Sequence, residues 1–198
     1  MKAREVIMRT VKEPDVRKQE ILDGAIRVFA RKGYDKTTIT DIAKELNISQ
    51  GLCYRYYPSK EEIYDAALEK YANLIVQENL RKISFDIPIR ELVDNITSHM
   101  EYMTDAEKED QGLYKLFHSE NSQRMHDELF LKVTKKAIPY VQEHLRKAKE
   151  NGEITIKDTD SAAIIGMYGW IGLCLTKGLT NEERMEKIRL AWYKLLEL

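Results

Sequence analysis

Apolar residues recur at helical spacing along nearly the whole chain, and no stretch shows the period of two of a half-buried strand. Ile21, Leu22, Ala25, Val28 and Phe29 mark a first helix over about 16–32, ended by Gly33. Ile42, Ala43 and Leu46 mark a second over about 39–46. A short third covers 50–56, with Leu52 and Cys53 turned inward. Ile63, Ala66, Ala67, Leu68 and Tyr71 give a long fourth over 59–82. Further apolar stripes predict helices over 89–104, 112–119, 122–151, 158–176 and 181–198. The pattern predicts an all-α chain of about nine helices, in keeping with only four prolines and nine glycines. Pro139 falls inside the long helix, where it removes the bond to the carbonyl of Lys135 and predicts a kink. Such a kink leaves either a cavity or a mere surface irregularity.

The last two helices differ from the rest. Gly166, Gly169 and Gly172 recur every three residues within an otherwise apolar segment. Each glycine inside a helix costs about 1 kcal/mol against alanine. At 100° per residue the three fall within about a third of the circumference and form a smooth strip. A helix that is apolar nearly all round must be buried on several sides. The final helix adds Met185, Ile188, Trp192, Leu195 and Leu196. Together these residues predict a four-helix interface in a homodimer, although a monomer that buries them internally remains open.

Residues 37–60 carry the sharpest signal, TTITDIAKELNISQGLCYRYYPSK. Thr38 is placed to cap the second helix, with Asp41 three residues on as a short capping-box partner. Asn47 stands where that helix must stop, and Asn tolerates the left-handed backbone used there. Ile48 plugs the turn, and Ser49 caps the third helix. Gln50, Tyr54, Arg55 and Tyr56 are left facing outward, a polar and aromatic set that needs a partner surface. Lys60 follows at the start of the fourth helix, capped by Ser59 after Pro58. This is the plan of a DNA-binding helix-turn-helix. Caps of the Thr38 and Ser49 kind occur in any helical protein; Tyr54, Tyr56 and Lys60 together are harder to explain without a partner.

The run Ile48–Glu61, ISQGLCYRYYPSKE, resembles the recognition-helix signature of the TetR family of transcriptional repressors. Phe29-Ala30-Arg31-Lys32-Gly33-Tyr34 and Thr37-Thr38 fit the same pattern, and the resemblance extends over about 17–67. Asn47 departs from the commoner turn glycine, and Cys53 from an aliphatic residue. Residues 1–15, of mixed charge, are expected to form a mobile tail, and the resemblance implies a three-helix DNA-binding head (16–60) and a helical ligand-binding and dimerisation body (61–198), joined by the helix at 59–82. Within it, Gln50, Thr40 and Arg55 are the expected contacts to base edges in the major groove. Tyr54, Tyr56, Thr38 and Ser49 are expected to grip phosphates, with Gly51 letting the backbone approach. Lys60, at a helix N-terminus, is expected to hold a phosphate. The implied partners are a double-stranded operator, a second copy of the chain and a small-molecule inducer; no cofactor is implied.

Net charge is −1, so no global argument for nucleic acid exists. Its distribution is more telling. Residues 1–60 hold 13 Lys/Arg against 8 Asp/Glu, whereas residues 61–198 hold 19 against 25. A basic head on an acidic body suits one end facing phosphates, although chance segregation gives the same asymmetry. Lys2, Arg4, Arg9 and Lys12 of the tail are four of those 13. The two cysteines, Cys53 and Cys174, are far apart and suit a reducing cytoplasm. No apolar run is long enough to span a bilayer, and no secretory leader is evident, so no membrane partner is expected.

The sequence is open to competing functions. For an enzyme, His99, His118, His126 and His144 are scattered, and no metal, phosphate-loop or nucleophile motif accompanies them. Neither catalytic nor metal-binding residues are therefore assigned. For a ligand-controlled regulator, Met100, Met103, Tyr114, Phe117, Met125, Phe130, Tyr140, Tyr168 and Trp170 suit an adaptable apolar pocket. The same residues suit an ordinary core, which leaves open a DNA-binding regulator tuned by a partner protein instead.

Overall fold

The computed structural model describes residues 13–98, 111–118 and 123–198, apart from the side chains of Gln111, Leu113 and His118. Among the described residues it is all-α, with nine helices and no strand. They are α1 (Pro14–Lys32), α2 (Ile39–Glu45), α3 (Gln50–Tyr56), α4 (Lys60–Lys82), α5 (Ile89–Ser98), α6 (Gln111–His118), α7 (Gln123–Glu150), α8 (Thr159–Leu175) and α9 (Asn181–Leu196). The expected tail residues 1–12, and the end of the helix expected at 89–104, lie outside the described residues. Pro14 opens α1 two residues before the expected start, where its missing N–H costs nothing.

The chain divides into two compact units, residues 1–67 and 68–198. The division falls inside α4, later than the boundary at 60 expected from sequence, because Ile63, Tyr64 and Ala67 are buried in the first unit's core. That core gathers Ile21, Ala25, Val28 and Phe29 from α1 and Ile42 and Ala43 from α2 around Cys53 and Tyr57. Gly24 of α1 is required by the close approach of Leu46: a Cβ there would stand 2.6 Å from its Cδ2.

The second unit holds the rest of α4 and α5–α9. Ile89, Leu92, Val93, Leu145, Ala148, Ala162, Ile188, Trp192 and Leu196 form one continuous core. Polar ties fix its ends. Glu153 accepts from the backbone N–H of Ile89 at 2.6 Å, and Arg184 donates to the carbonyl of Leu173 at 3.0 Å. Glu69 of α4 pairs with Lys132 at 3.0 Å and with Lys136. α7 runs on through Pro139 as a single 28-residue helix and stops at Gly152, whose φ of 76° few other residues adopt.

The structure revises part of the expected dimer face. Met185, Ile188 and Trp192 are buried in the protomer's own core rather than presented outward. Gly166 packs inward too, against the Trp192 ring. Among the described residues nothing lies within 4 Å of a Cβ position at Gly169 or Gly172. With Ile165 (61% exposed) and Tyr168 they lie on one face of α8, and Leu190 of α9 is 54% exposed. Leu195 is half-buried beside Ala191 on a shallow groove that Ile165 and Gly169 also line.

Candidate nucleic-acid interface and ligand cavity

The turn between α2 and α3 is built from backbone bonds that the sequence anticipates. Ile48 donates to the carbonyl of Ala43 at 2.9 Å and Asn47 to that of Lys44 at 3.2 Å. This pair of bonds, with Asn47 at φ 52°, closes α2 in a Schellman turn. Thr38 and Asp41 form a reciprocal capping box: Asp41 N–H donates to Thr38 Oγ1 at 3.2 Å and Thr38 N–H to Asp41 Oδ2 at 2.9 Å. Lys32 approaches Asp41 to 2.7 Å. Hydrogen bonds from Lys32 and then from Thr38 hold the Asp41 carboxyl well below the usual carboxylate range.

α3 is presented as a short rigid ledge. Ser49 accepts from the Leu52 N–H at 3.2 Å, and Cys53, 0% exposed, pins the helix from below. Burial pushes the Cys53 thiol up, which suits packing and not reactivity. Gln50, Gly51, Tyr54 (50% exposed) and Arg55 face solvent, and Tyr56 is half-buried. Gln50 Nε2 donates to Thr40 Oγ1 at 2.5 Å. The amide is thus held in one orientation with its oxygen and second N–H unspent, the set that reads adenine.

Two expected phosphate contacts are differently engaged. Thr38 donates its one O–H to Asp41 at 2.8 Å, so it has no proton left for a phosphate, which only accepts. Ser49 accepts only from Leu52 and keeps its O–H for that role. Lys60 Nζ donates to the carbonyl of Tyr34 at 3.0 Å and sits 4.3 Å from the Tyr34 ring centre. That ring packs against Phe29 and Tyr64, so Lys60 is part of the head's framework. Desolvation first, and then the Glu61 carboxylate, push the Tyr34 hydroxyl up. Lys36 and Lys44, absent from the sequence-based set, are exposed and have no ion pair among the described residues. Arg27, Arg31 and Lys32, by contrast, are spent on Glu45 and Asp41. Only the pairing separates these two groups of cations, and pairing is not written in composition.

In the second unit, α4, α5, α7 and α8, the segment 83–87 and Trp192 of α9 line a cavity of about 460 Å³ that is open on one side. Phe130, Tyr140 and Trp170 line it, as expected from sequence. Phe117 does not: it is fully buried against Tyr71, with ring centres 5.5 Å apart. Tyr114 and Tyr168 are exposed, and Met125 is half-buried away from the lining. Met100 and Met103 lie outside the described residues. The lining that sequence missed includes Val76, Leu80, Val133, Met167 and His144.

Residues 21–67 match the profile of bacterial regulatory proteins of the tetR family. Over this stretch, 47 of its 198 residues, the chain is similar to the tetR family of bacterial regulatory proteins. Among curated tetR-like relatives, the IcaR negative transcriptional regulator of the biofilm operon icaADBC from Staphylococcus epidermidis is 44% identical over 64 residues, 32% of this chain and 35% of that protein. Its Staphylococcus aureus counterpart is 40% identical over 73 residues, 35% of this chain and 39% of that protein. The chain therefore spans little more than a third of these relatives' length in the match. A tetR-family regulator structure from Mesorhizobium loti superposes with a TM-score of 0.60 at 17% identity, covering 94% of this chain and 98% of that one. FadR from Bacillus subtilis, in complex with stearoyl-CoA, gives 0.55 at 18% identity over 90% and 97%. At those identities the two structures establish a shared fold. The tetR family is one of regulators and not of enzymes. No described helix is long and apolar enough to cross a membrane, and no cluster of metal-ligating side chains occurs among the described residues.

Proposed function

We propose that the protein is a cytoplasmic transcriptional repressor that binds a roughly palindromic operator as a homodimer and is released by a small apolar or amphipathic ligand. One observation carries the DNA-binding part: α3 exposes Gln50, Tyr54 and Arg55 on a turn whose every bond is already made, so binding orders little. Gln50, Thr40 and Arg55 read bases; Ser49, Tyr54 and Tyr56 position the backbone, with Lys36 and Lys44 adding charge. The dimer face is Ile165, Tyr168, Gly169, Gly172, Leu190 and Leu195. Exposed apolar groups of this size on adjacent helices call for a cover, and two glycines let a partner helix come close.

The cavity favours ligand control over control by a partner protein alone, because its size and apolar lining match small-molecule sites. α4 couples the two functions. Its first turns belong to the head, and Val76 and Leu80 line the cavity. A ligand shifts the regulator only by its differential affinity for the DNA-competent and released states. Footprinting on DNA flanking the protein's own gene tests the reading. Two protected half-sites related by two-fold symmetry, one helical turn or more apart, are expected. A single asymmetric footprint would remove the homodimer from the account.

A further inference from the structure

His144 stands out among the cavity's lining residues. It lies on α7, is 9% exposed, and its Nε2 is buried with no hydrogen-bond partner among the described residues. Phe85 covers the imidazole edge-on, with ring centres 5.3 Å apart. A buried polar atom in an otherwise close-packed protein is normally paired, and an orphan calls for an explanation. Of the lining residues near His144 on α7, Val141 and Leu145 carry no hydrogen-bonding side-chain group, and Tyr140 makes no bond to Nε2. Desolvation by burial pushes the imidazole's pKa down; nearby Glu153 opposes this and Lys147 adds to it. The ring is therefore neutral near pH 7 and has one donor and one acceptor nitrogen.

Charge on the lining is equally one-sided. Among the described residues no carboxylate lines the cavity, and its one charged residue, Lys82, is paired with Glu78 at 3.6 Å. A cation entering this space would leave water without a counter-charge, at a large desolvation cost. We propose that His144 is the polar anchor of the ligand site, and that the site selects molecules with an apolar body and one uncharged or anionic hydrogen-bonding group, a hydroxyl or carboxyl. The inference rests on the ligand-controlled reading above and goes beyond it by naming the reading residue and the class it admits.

The test uses the full chain with a fluorescent apolar dye as reporter. Decanol, decanoate and decyltrimethylammonium, each below its aggregation concentration, are the competing probes. Decanol and decanoate are expected to displace the dye at least about tenfold more readily than the cation. His144→Phe, which keeps a ring but no hydrogen bond, is expected to weaken decanol and decanoate about tenfold, the scale of one lost hydrogen bond in a buried site, while sparing the dye. His144→Gln, which can still hydrogen-bond, is expected to restore part of that loss and guards against a misfolded phenylalanine variant. Ala137→Phe, on the same wall, fills the cavity and reports whether the dye sits there. If Ala137→Phe expels the dye but the histidine variants bind all three probes like the native chain, the His144 assignment falls and the ligand reading stands. Equal binding of the cation would overturn the selectivity in the same way. If no probe binds and Ala137→Phe changes nothing, the ligand reading itself fails, and the inference with it.

Discussion

Gly166→Ala is expected to destabilise the second unit by about 1–3 kcal/mol, and Gly166→Leu by more, despite the better helix propensity of both residues. A Cβ at position 166 would stand 2.3 Å from Trp192 Cη2 and 2.6 Å from Cζ2. Trp192 is buried in the unit's core cluster with Ile188, Leu196 and Met185, so moving its ring toward the cavity or groove that it also lines gives up core packing. The gain of about 1 kcal/mol from replacing a mid-helix glycine is outweighed by that overlap. Gly169 and Gly172 supply the contrast. Among the described residues neither has a neighbour within 4 Å of its Cβ position, so alanine there is expected to stabilise an isolated protomer. In the proposed homodimer the same positions face a partner helix, and Gly169→Leu is expected to weaken association at least tenfold. Denaturant unfolding at several protein concentrations separates the effects. Gly166→Ala as a stabilising change would refute the packing of α8 on α9. Concentration-independent unfolding in the native chain and in Gly169→Leu alike would refute the dimer face.

The paired substitution Gln50→Ala, Tyr54→Ala is expected to lower operator affinity on the order of a thousandfold. In a dimer it removes four contacts, at about 1 kcal/mol each or more. Both side chains are exposed and outside the core, so the melting temperature is expected to stay within about a degree or two. Residual, sequence-independent binding is expected to persist, because Lys36, Lys44 and Arg55 are untouched. Lys60 is unsuitable for such a test. Its ammonium is bonded to the Tyr34 carbonyl and covers the Tyr34 ring, so Lys60→Ala would lower stability together with DNA binding. Mobility shifts on specific and scrambled duplexes measure the outcome. Undiminished operator affinity in the double variant would mean that α3 is not the reading helix.

Local grammar accounts for how much of the head was legible in sequence. Thr38, Asn47 and Ser49 each do what their side chains favour at that position, so caps and turn followed from neighbours a few residues away. Long-range partners were not legible. The cation–aromatic contact between Lys60 and Tyr34 joins residues 26 apart, and nothing in either residue's local pattern indicates it. The spent hydroxyl of Thr38 belongs to the same class: the capping box was visible, but the direction of its O–H was not. In the body, α8 is apolar nearly all round, so sequence gave no means of telling its core side from its outer side. Gly166 of α8 faces inward and Tyr168 outward, against expectation; on α9 the single stripe of Met185, Ile188 and Trp192 fits a partner or the protomer's own core equally well, and it faces the core. On an amphipathic helix a histidine such as His144 reads as a solvated residue; only the burial of Nε2 marks it out.

The measurement that bears most directly on the central claim is a mobility-shift titration on the DNA flanking the protein's own gene. It uses dimer shown to be ligand-free by native mass spectrometry, across a series of salt concentrations. The account predicts a sequence-specific complex whose affinity falls steeply and log-linearly with salt, as phosphate contacts from an otherwise near-neutral protein require. Weak binding with no preference for any flanking sequence over a scrambled duplex, at every salt concentration, would contradict it.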